Sequence, residues 1–166
     1  MDVKSLKERV CQAIDEHKEE IMALGDSIFQ EPELGYKEYK TAAKVKQFID
    51  EKIGMPYEDG IALTGIIGKM SGRDHKVNLA LMGELDAVVC PDHPYADPET
   101  GAAHSCGHFA QIAATFGAAL ALKTSGVMEE LDGDIEFWAV PAEECVEIEW
   151  RNELRSNGTI SFLGGK

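Results

Sequence analysis

The chain has 166 residues, of which 44% are hydrophobic and 28% charged, and its net charge is −14. That length fits one domain by the usual span of roughly 100–200 residues, and the composition is that of a globular chain rather than a disordered or fibrous one. A field of this sign argues against nucleic acid and anionic membranes as partners and favours cations.

The opening, Met1 to Val10, is charged and amphipathic and lacks the basic-then-apolar pattern of a secretory signal. Val3, Leu6, Val10, Ile14, Ile21, Leu24 and Ile28 recur at helical spacing, which predicts one long amphipathic helix with His17 on its stripe. That helix ends at Glu31-Pro32, because the residue before proline is pushed out of α geometry. Pro32 to Tyr36 reads as a turn. A second helix is expected from about Lys37 to Ile53, with Ala42, Val45, Phe48 and Ile49 inward and Gly54-Met55-Pro56 as its stop.

Strand-like runs follow at Ile61 to Met70 and Val77 to Met82. Ser71-Gly72-Arg73-Asp74 between them suggests a hairpin, with His75 exposed at the break. Val77 to Met82 is almost continuously apolar, the pattern of an interior strand covered on both faces. It delivers Glu84 and Asp86 at its carboxyl end, where α/β sheets place their sites. Val88 to Ala102 is a loop with Pro, Asp and His93. Phe109 to Lys123 reads as a mostly apolar helix, too short to span a bilayer. Glu129 to Gly133 is a polar connection. Asp134 to Val140 is a strand ended by Pro141, Glu147 to Ser156 a short helix, and Asn157-Gly158 and Gly164-Gly165 are turn signals. The expected fold class is α/β, with helices packed on a mixed β-sheet.

From Val77 to Trp150, fourteen acids stand against the single base Lys123, leaving that segment at −13. Most of these charges read as a solvated surface. A few coincide with chemistry. Asp86 follows one strand, Cys106 and His108 open a helix, and Glu143 and Glu144 follow the next strand. A thiolate, an imidazole and a carboxylate are a donor set suited to zinc, and an adjacent Glu can act as a base. A thiol at a helix start is expected to have a lowered pKa. Gly107 lets the backbone bend between Cys106 and His108, and His104 is a further ligand or a supporting donor. The four cysteines, Cys11, Cys90, Cys106 and Cys145, have no paired spacing and read as reduced thiols of a cytoplasmic protein.

Cys106-Gly107-His108, Ala142-Glu143-Glu144 and Gly83-Glu84-Leu85-Asp86-Ala87, together with Pro32-Glu33-Leu34-Gly35, Glu38, Thr41 and Thr64-Gly65, resemble the M20 family of metal-dependent peptidases and amidohydrolases. The likeness is to its amidohydrolase branch, and Gly-Glu-Leu-Asp-Ala looks most like the aminobenzoyl-glutamate hydrolase and dipeptidase-like members. The resemblance implies Cys106 as a ligand bridging two divalent ions, zinc or manganese, with His108 and Glu144 as further ligands. It implies Glu143 as general base and Asp86 as the carboxylate that orients the site. The implied reaction is hydrolysis of the amide bond of an N-acyl amino acid or dipeptide-like small molecule. Phe109 and Gln111 stand where many relatives carry Asp or Asn and a second His.

Family members are more than twice as long, with a lid or dimerisation domain and further metal-binding histidines in the remainder. The resemblance therefore implies that residues 1–166 are one partial catalytic domain, the N-terminal half of such a domain without its lid. It would work as a homo-oligomer or paired with a missing C-terminal half. Two other readings stay open. The chain could be a truncated, non-catalytic metal-binding or assembly module. Alternatively, Cys106 and His108 could be a buried thiol and a satisfied core histidine beside an exposed acid pair.

Overall fold

The computed structural model describes residues 2–164. Met1, Gly165 and Lys166, and with them part of the turn expected at Gly164-Gly165, lie outside the described residues.

The N-terminal stripe forms two helices rather than one, α1 (Val3–Glu16) and α2 (Lys18–Phe29). His17 leaves helical geometry at φ −103° and ψ 10°, and its Nδ1 lies 2.6 Å from Glu20 Oε2 at the start of α2. With the axis broken there, Val3 and Ile14 stay exposed while Leu6, Ala13, Leu24 and Ile28 reach the core. The second expected helix is α3 (Tyr39–Phe48), extended by a π-helical turn at Ile49–Ile53 and closed by Gly54 in a left-handed conformation. Its inward residues Ala42, Val45, Phe48 and Ile49 are all buried.

Four strands make the main sheet: β1 (Tyr57–Ile61), β2 (Gly65–Met70), β3 (Val77–Glu84) and, far along the chain, a strand at Gly133–Val140. Between these last two, β4 (Val88–Val89) and β5 (Ala102–Ala103) pair antiparallel and close the expected loop on itself. The Gly133–Val140 strand is thus β6, and the sheet order is β1-β2-β6-β3. β6 runs antiparallel to β2 and parallel to β3, so the sheet is mixed as expected.

This order corrects two expectations. The turn at residues 71–74 does not make a hairpin, because β6 lies between β2 and β3. The hairpin is instead β1-β2, turning through Ala62 and Leu63, both at positive φ. Nor is Val77 to Met82 an interior strand. It forms the sheet's edge, with Val77, Leu79, Leu81 and Met82 exposed by 42–61%. α4 meets this strand at Gly83, near its carboxyl end, and leaves those four apolar side chains largely exposed.

α4 (His108–Thr124) packs across one face of the sheet and against α1 and α2. Ile66, Phe137 and Ala139 of the sheet meet Ile112, Phe116, Ala119 and Leu120 of α4 in one core with Leu24, Ile28, Val45 and Ile49. α4 sits closest to the carboxyl end of β3: a Cβ added at Gly83 would lie 3.0 Å from Thr115 Oγ1 and 3.2 Å from the Gln111 carbonyl. That contact fixes the start of α4 over the residues that follow β3. α5 (Ile148–Ser156) follows β6 through a loop and lies over Tyr36, Ala142 and Ile160. No helix among the described residues is long and apolar enough to cross a membrane.

Candidate metal centre

Parallel pairing places Glu84 of β3 beside Val140 of β6, so the two strands end level. The chain leaving β3 carries Asp86; the chain leaving β6 carries Glu143 and Glu144. Asp86 is fully buried, and its Oδ2 accepts the backbone N–H of Glu144 at 2.9 Å. Its backbone carbonyl accepts a bond from His108 Nδ1 at 2.8 Å. A carbonyl can only accept, so Nδ1 carries the proton and Nε2 faces the acids.

Around that Nε2 lie Glu84 Oε2 at 2.8 Å, Glu143 Oε2 at 3.8 Å and Glu144 Oε1 at 3.9 Å. Cys106 completes the group: its sulfur and donor atoms of His108 and Glu144 all lie within 4.8 Å of one another. The residues named from the sequence therefore converge on one point. Asp86 Oδ1 is buried there without a hydrogen-bond partner. A sulfur, a nitrogen and several carboxylate oxygens, backed by a buried aspartate with one oxygen free of hydrogen bonds, fit a divalent cation by donor chemistry.

Electrostatics follow from the crowding of acids. Burial works against charge on His108, but its hydrogen bonds to Asp86 and the charge of Glu84 outweigh this and raise its pKa to about 9. Burial likewise works against the Asp86 carboxylate, and His108 and the Glu144 N–H overcome it, so its pKa is lowered. Cys106 departs from expectation. It precedes α4 by two residues, ahead of Gly107, which caps the helix at φ +101°, a conformation open to glycine. The thiol's hydrogen bond to Glu144, then desolvation, then the Glu144, Glu143 and Glu84 charges push its pKa up to about 11. The neighbouring carboxylates outweigh the helix dipole, and a divalent cation would reverse their effect.

His104 is buried, with neither ring nitrogen hydrogen-bonded, and burial lowers its pKa to about 4. Its ring packs 5.8 Å from that of Phe109, which also meets Phe29 at 4.9 Å. His104 belongs to neither donor cluster found among the described residues. The other histidines lie apart from this centre: His75 is exposed and bonded to Asp134, and His93 packs with Phe29 and Tyr95.

Three residues that support the site received no role from the sequence. Glu84 was visible only as an acid at a strand end. Glu38, fully buried, accepts the Ala142 N–H at 2.8 Å and the Thr64 hydroxyl at 2.7 Å. Arg151 of α5, 1% exposed, donates through Nη1 to the carbonyls of Glu144 at 2.7 Å, Leu163 at 3.0 Å and Ala142 at 3.4 Å. Between them, Glu38 and Arg151 hold Ala142 at φ 56°, a strained conformation for a residue with a Cβ, immediately before the acid pair. No local pattern marks either residue, since each acts on a loop more than a hundred or nearly ten residues away.

Comparison with known proteins adds an independent line. The profile of peptidase family M20/M25/M40 matches residues 80–165, the half of the chain that contains every donor described above. IAA-amino acid hydrolase ILR1-like 5 of Arabidopsis thaliana is 38% identical over 122 residues, covering 70% of this chain and 27% of that protein. The N-acetyl-L-cysteine deacetylase of Bacillus subtilis is 30% identical over 148 residues, 87% of this chain and 35% of that protein. The crystal structure of Bacillus subtilis YXEP, a dinuclear metal binding peptidase from the M20 family, superposes with a TM-score of 0.65 at 26% identity. That match covers 84% of this chain and 39% of YXEP. The chain thus spans about a third of the length of the relatives it matches.

Proposed function

The chain belongs to peptidase family M20/M25/M40, and on that premise we propose that it carries the metal-binding part of a hydrolase acting on the amide bond of an N-acyl amino acid or dipeptide-like substrate. The observation that carries this reading is the convergence of Cys106, His108 and Glu144 donor atoms within 4.8 Å, with Glu143 alongside. In this reading residues 1–166 are part of one catalytic domain and Cys106, His108 and Glu144 hold the ion, zinc or manganese. When bound, the ion polarises the scissile carbonyl and lowers the pKa of the attacking water.

Glu143 takes that water's proton and passes it to the leaving amine. Its side chain is 36% exposed against 22% for that of Glu144, which is anchored through its backbone at both ends: its N–H to Asp86 and its carbonyl to Arg151. That difference in restraint suits Glu144 to holding an ion and Glu143 to moving a proton. Asp86 keeps the imidazole oriented and the Glu144 loop in place. The free thiols of Cys11, Cys90, Cys106 and Cys145 fit work in the reducing cytoplasm.

The test is turnover of a panel of N-acyl amino acids and dipeptides with Zn²⁺ or Mn²⁺, alone and with Glu143→Gln. The reading expects loss of turnover by roughly 10²–10⁴ in the variant, the usual contribution of a positioned base, with metal binding retained. Equal turnover in parent and variant would remove Glu143 from the base role.

A second reading, assembly, rests on β3. An edge of eight residues with four large apolar side chains exposed is a template for another strand. We propose that the working protein covers it, with a second copy or with additional polypeptide. Light scattering with hydrophobic-dye binding checks this: a monomer that binds no dye would show that the edge needs no cover.

A further inference from the structure

The end of the sheet away from the metal centre carries a cavity of about 380 Å³. Gly54-Met55-Pro56, the carboxyl end of β2, the last turn of α4 and the 3₁₀ turn at Val127–Glu130 line it. Met70 of β2 pairs with Ile135, near the amino end of β6, whereas the proposed ligands follow that strand's carboxyl end. Lys123, on the rim, lies fifteen residues along α4 from His108, about 22 Å at 1.5 Å per residue. Cavity and metal centre are therefore separate.

Three of the chain's six methionines, Met55, Met70 and Met128, line this one cavity, and all three are buried. Gly68 of β2 makes the room: a Cβ there would collide with Met55 Cε. Unbranched thioethers give an apolar floor that adapts to side chains of different shape. Above it stand three exposed charged residues, Lys69, Lys123 and Glu129. Lys69 is held by Asp134 at 2.9 Å. Lys123, the single base between Val77 and Trp150, and Glu129 form no ion pair with each other or with any other described residue.

The lining thus offers one uncommitted ammonium and one uncommitted carboxylate over an apolar floor. Its complement is a zwitterion with an apolar side chain: carboxylate towards Lys123, ammonium towards Glu129, side chain against the thioethers. A simple fatty acid would set its carboxylate against Glu129, and a simple amine would set its charge against Lys123. We propose that this cavity binds a free apolar α-amino acid, of which leucine is the probe. A volume of about 380 Å³ falls within the roughly 300–1,000 Å³ of small-molecule sites. No part of this depends on the metal-centre reading.

Nuclear magnetic resonance of the 166-residue chain with isotope-labelled methionine methyl groups, titrated with L-leucine, tests the proposal. EDTA is present throughout, so that no metal ion holds the amino acid. The Met55, Met70 and Met128 signals should shift along one saturating curve, while those of the exposed Met22 and Met82 stay still. Lys123→Gln and Glu129→Gln should each weaken leucine by roughly tenfold, as expected when a charged hydrogen-bond partner is lost. 4-Methylpentanoate, which is leucine without its amine, should bind the parent roughly tenfold more weakly than leucine does, and Glu129→Gln should weaken it no further. Thermal unfolding checks that each variant is folded.

Unmoved Met55, Met70 and Met128 signals at roughly 10 mM leucine would overturn the proposal. Equal affinity for leucine and 4-methylpentanoate would do the same, since Glu129 would then recognise nothing. So would a folded Lys123→Gln chain that binds leucine as the parent does, which would leave Lys123 only its complement to the dipole of α4. Each outcome is read without metal and leaves the metal-centre reading standing.

Discussion

The backbone N–H of Glu144 is bonded to the side chain of Asp86 at 2.9 Å, tying the loop after β6 to the loop after β3. The same aspartate receives His108 Nδ1 on its carbonyl oxygen. One buried residue thus sets the position of two proposed ligands that lie 36 residues apart in the chain.

Asp86→Asn should therefore lower zinc affinity by roughly 10–100-fold, the usual loss when a group orienting metal ligands is changed. The substitution keeps the shape but removes the charge facing His108. Calorimetric titration with ZnCl₂ reads the effect. Unchanged affinity would show that the loop holds its place without that carboxylate.

Arg151 offers a second handle, remote from the donors. Its removal leaves the carbonyls of Ala142, Glu144 and Leu163 without the guanidinium that joins them. Arg151→Met is expected to lower stability by about 3 kcal/mol, since buried acceptors lose their donor. A urea titration followed by tryptophan fluorescence measures it. Arg151→Lys should recover part of it, because all three carbonyls are reached from the single Nη1, a role an ammonium on a shorter, more flexible stem can partly take over.

Glu38 predicts a pH dependence. Burial, opposed by its bonds from Thr64 and Ala142, raises its pKa from 4.5 to about 7. A carboxyl whose folded pKa is raised binds its proton more tightly in the fold than unfolded. Its contribution to stability is complete below pH 4.5 and is lost as pH rises through about 7. The size is on the order of 3 kcal/mol, at 1.36 kcal/mol per unit. Glu38→Gln mimics the protonated form, so its urea midpoint should fall less than the parent's between pH 5 and 8. Parallel curves for the two proteins would rule the effect out.

At the open edge of β3, Leu79→Lys should leave stability within about 0.5 kcal/mol, because Leu79 is 59% exposed and fills no core. It should also reduce self-association and dye binding, since a charge on an edge strand blocks pairing with another strand. Thermal unfolding checks the first consequence and size-exclusion with light scattering the second: association that persists in a folded Leu79→Lys chain would place the contact elsewhere.

Amino-acid order alone determined most of the local structure and the identity of the donors. Helix and strand periodicity is a short-range property, so α3, α4, α5 and β6 could be placed to within a few residues. The chemistry of thiol, imidazole and carboxylate at strand and helix ends could likewise be named without coordinates. Tertiary structure decided the rest. The place of β6 between β2 and β3 depends on pairing between segments more than fifty residues apart, which turned an anticipated interior strand into an edge and an anticipated hairpin into a crossover. The raised pKa of Cys106 comes from Glu144 and from other acids that the fold brings near, against the helix dipole that its own neighbourhood suggested. Glu38, Glu84 and Arg151 acquired their roles the same way. An electrostatic or hydrogen-bonding partner is set by distance in space, and one-dimensional spacing carries no record of it.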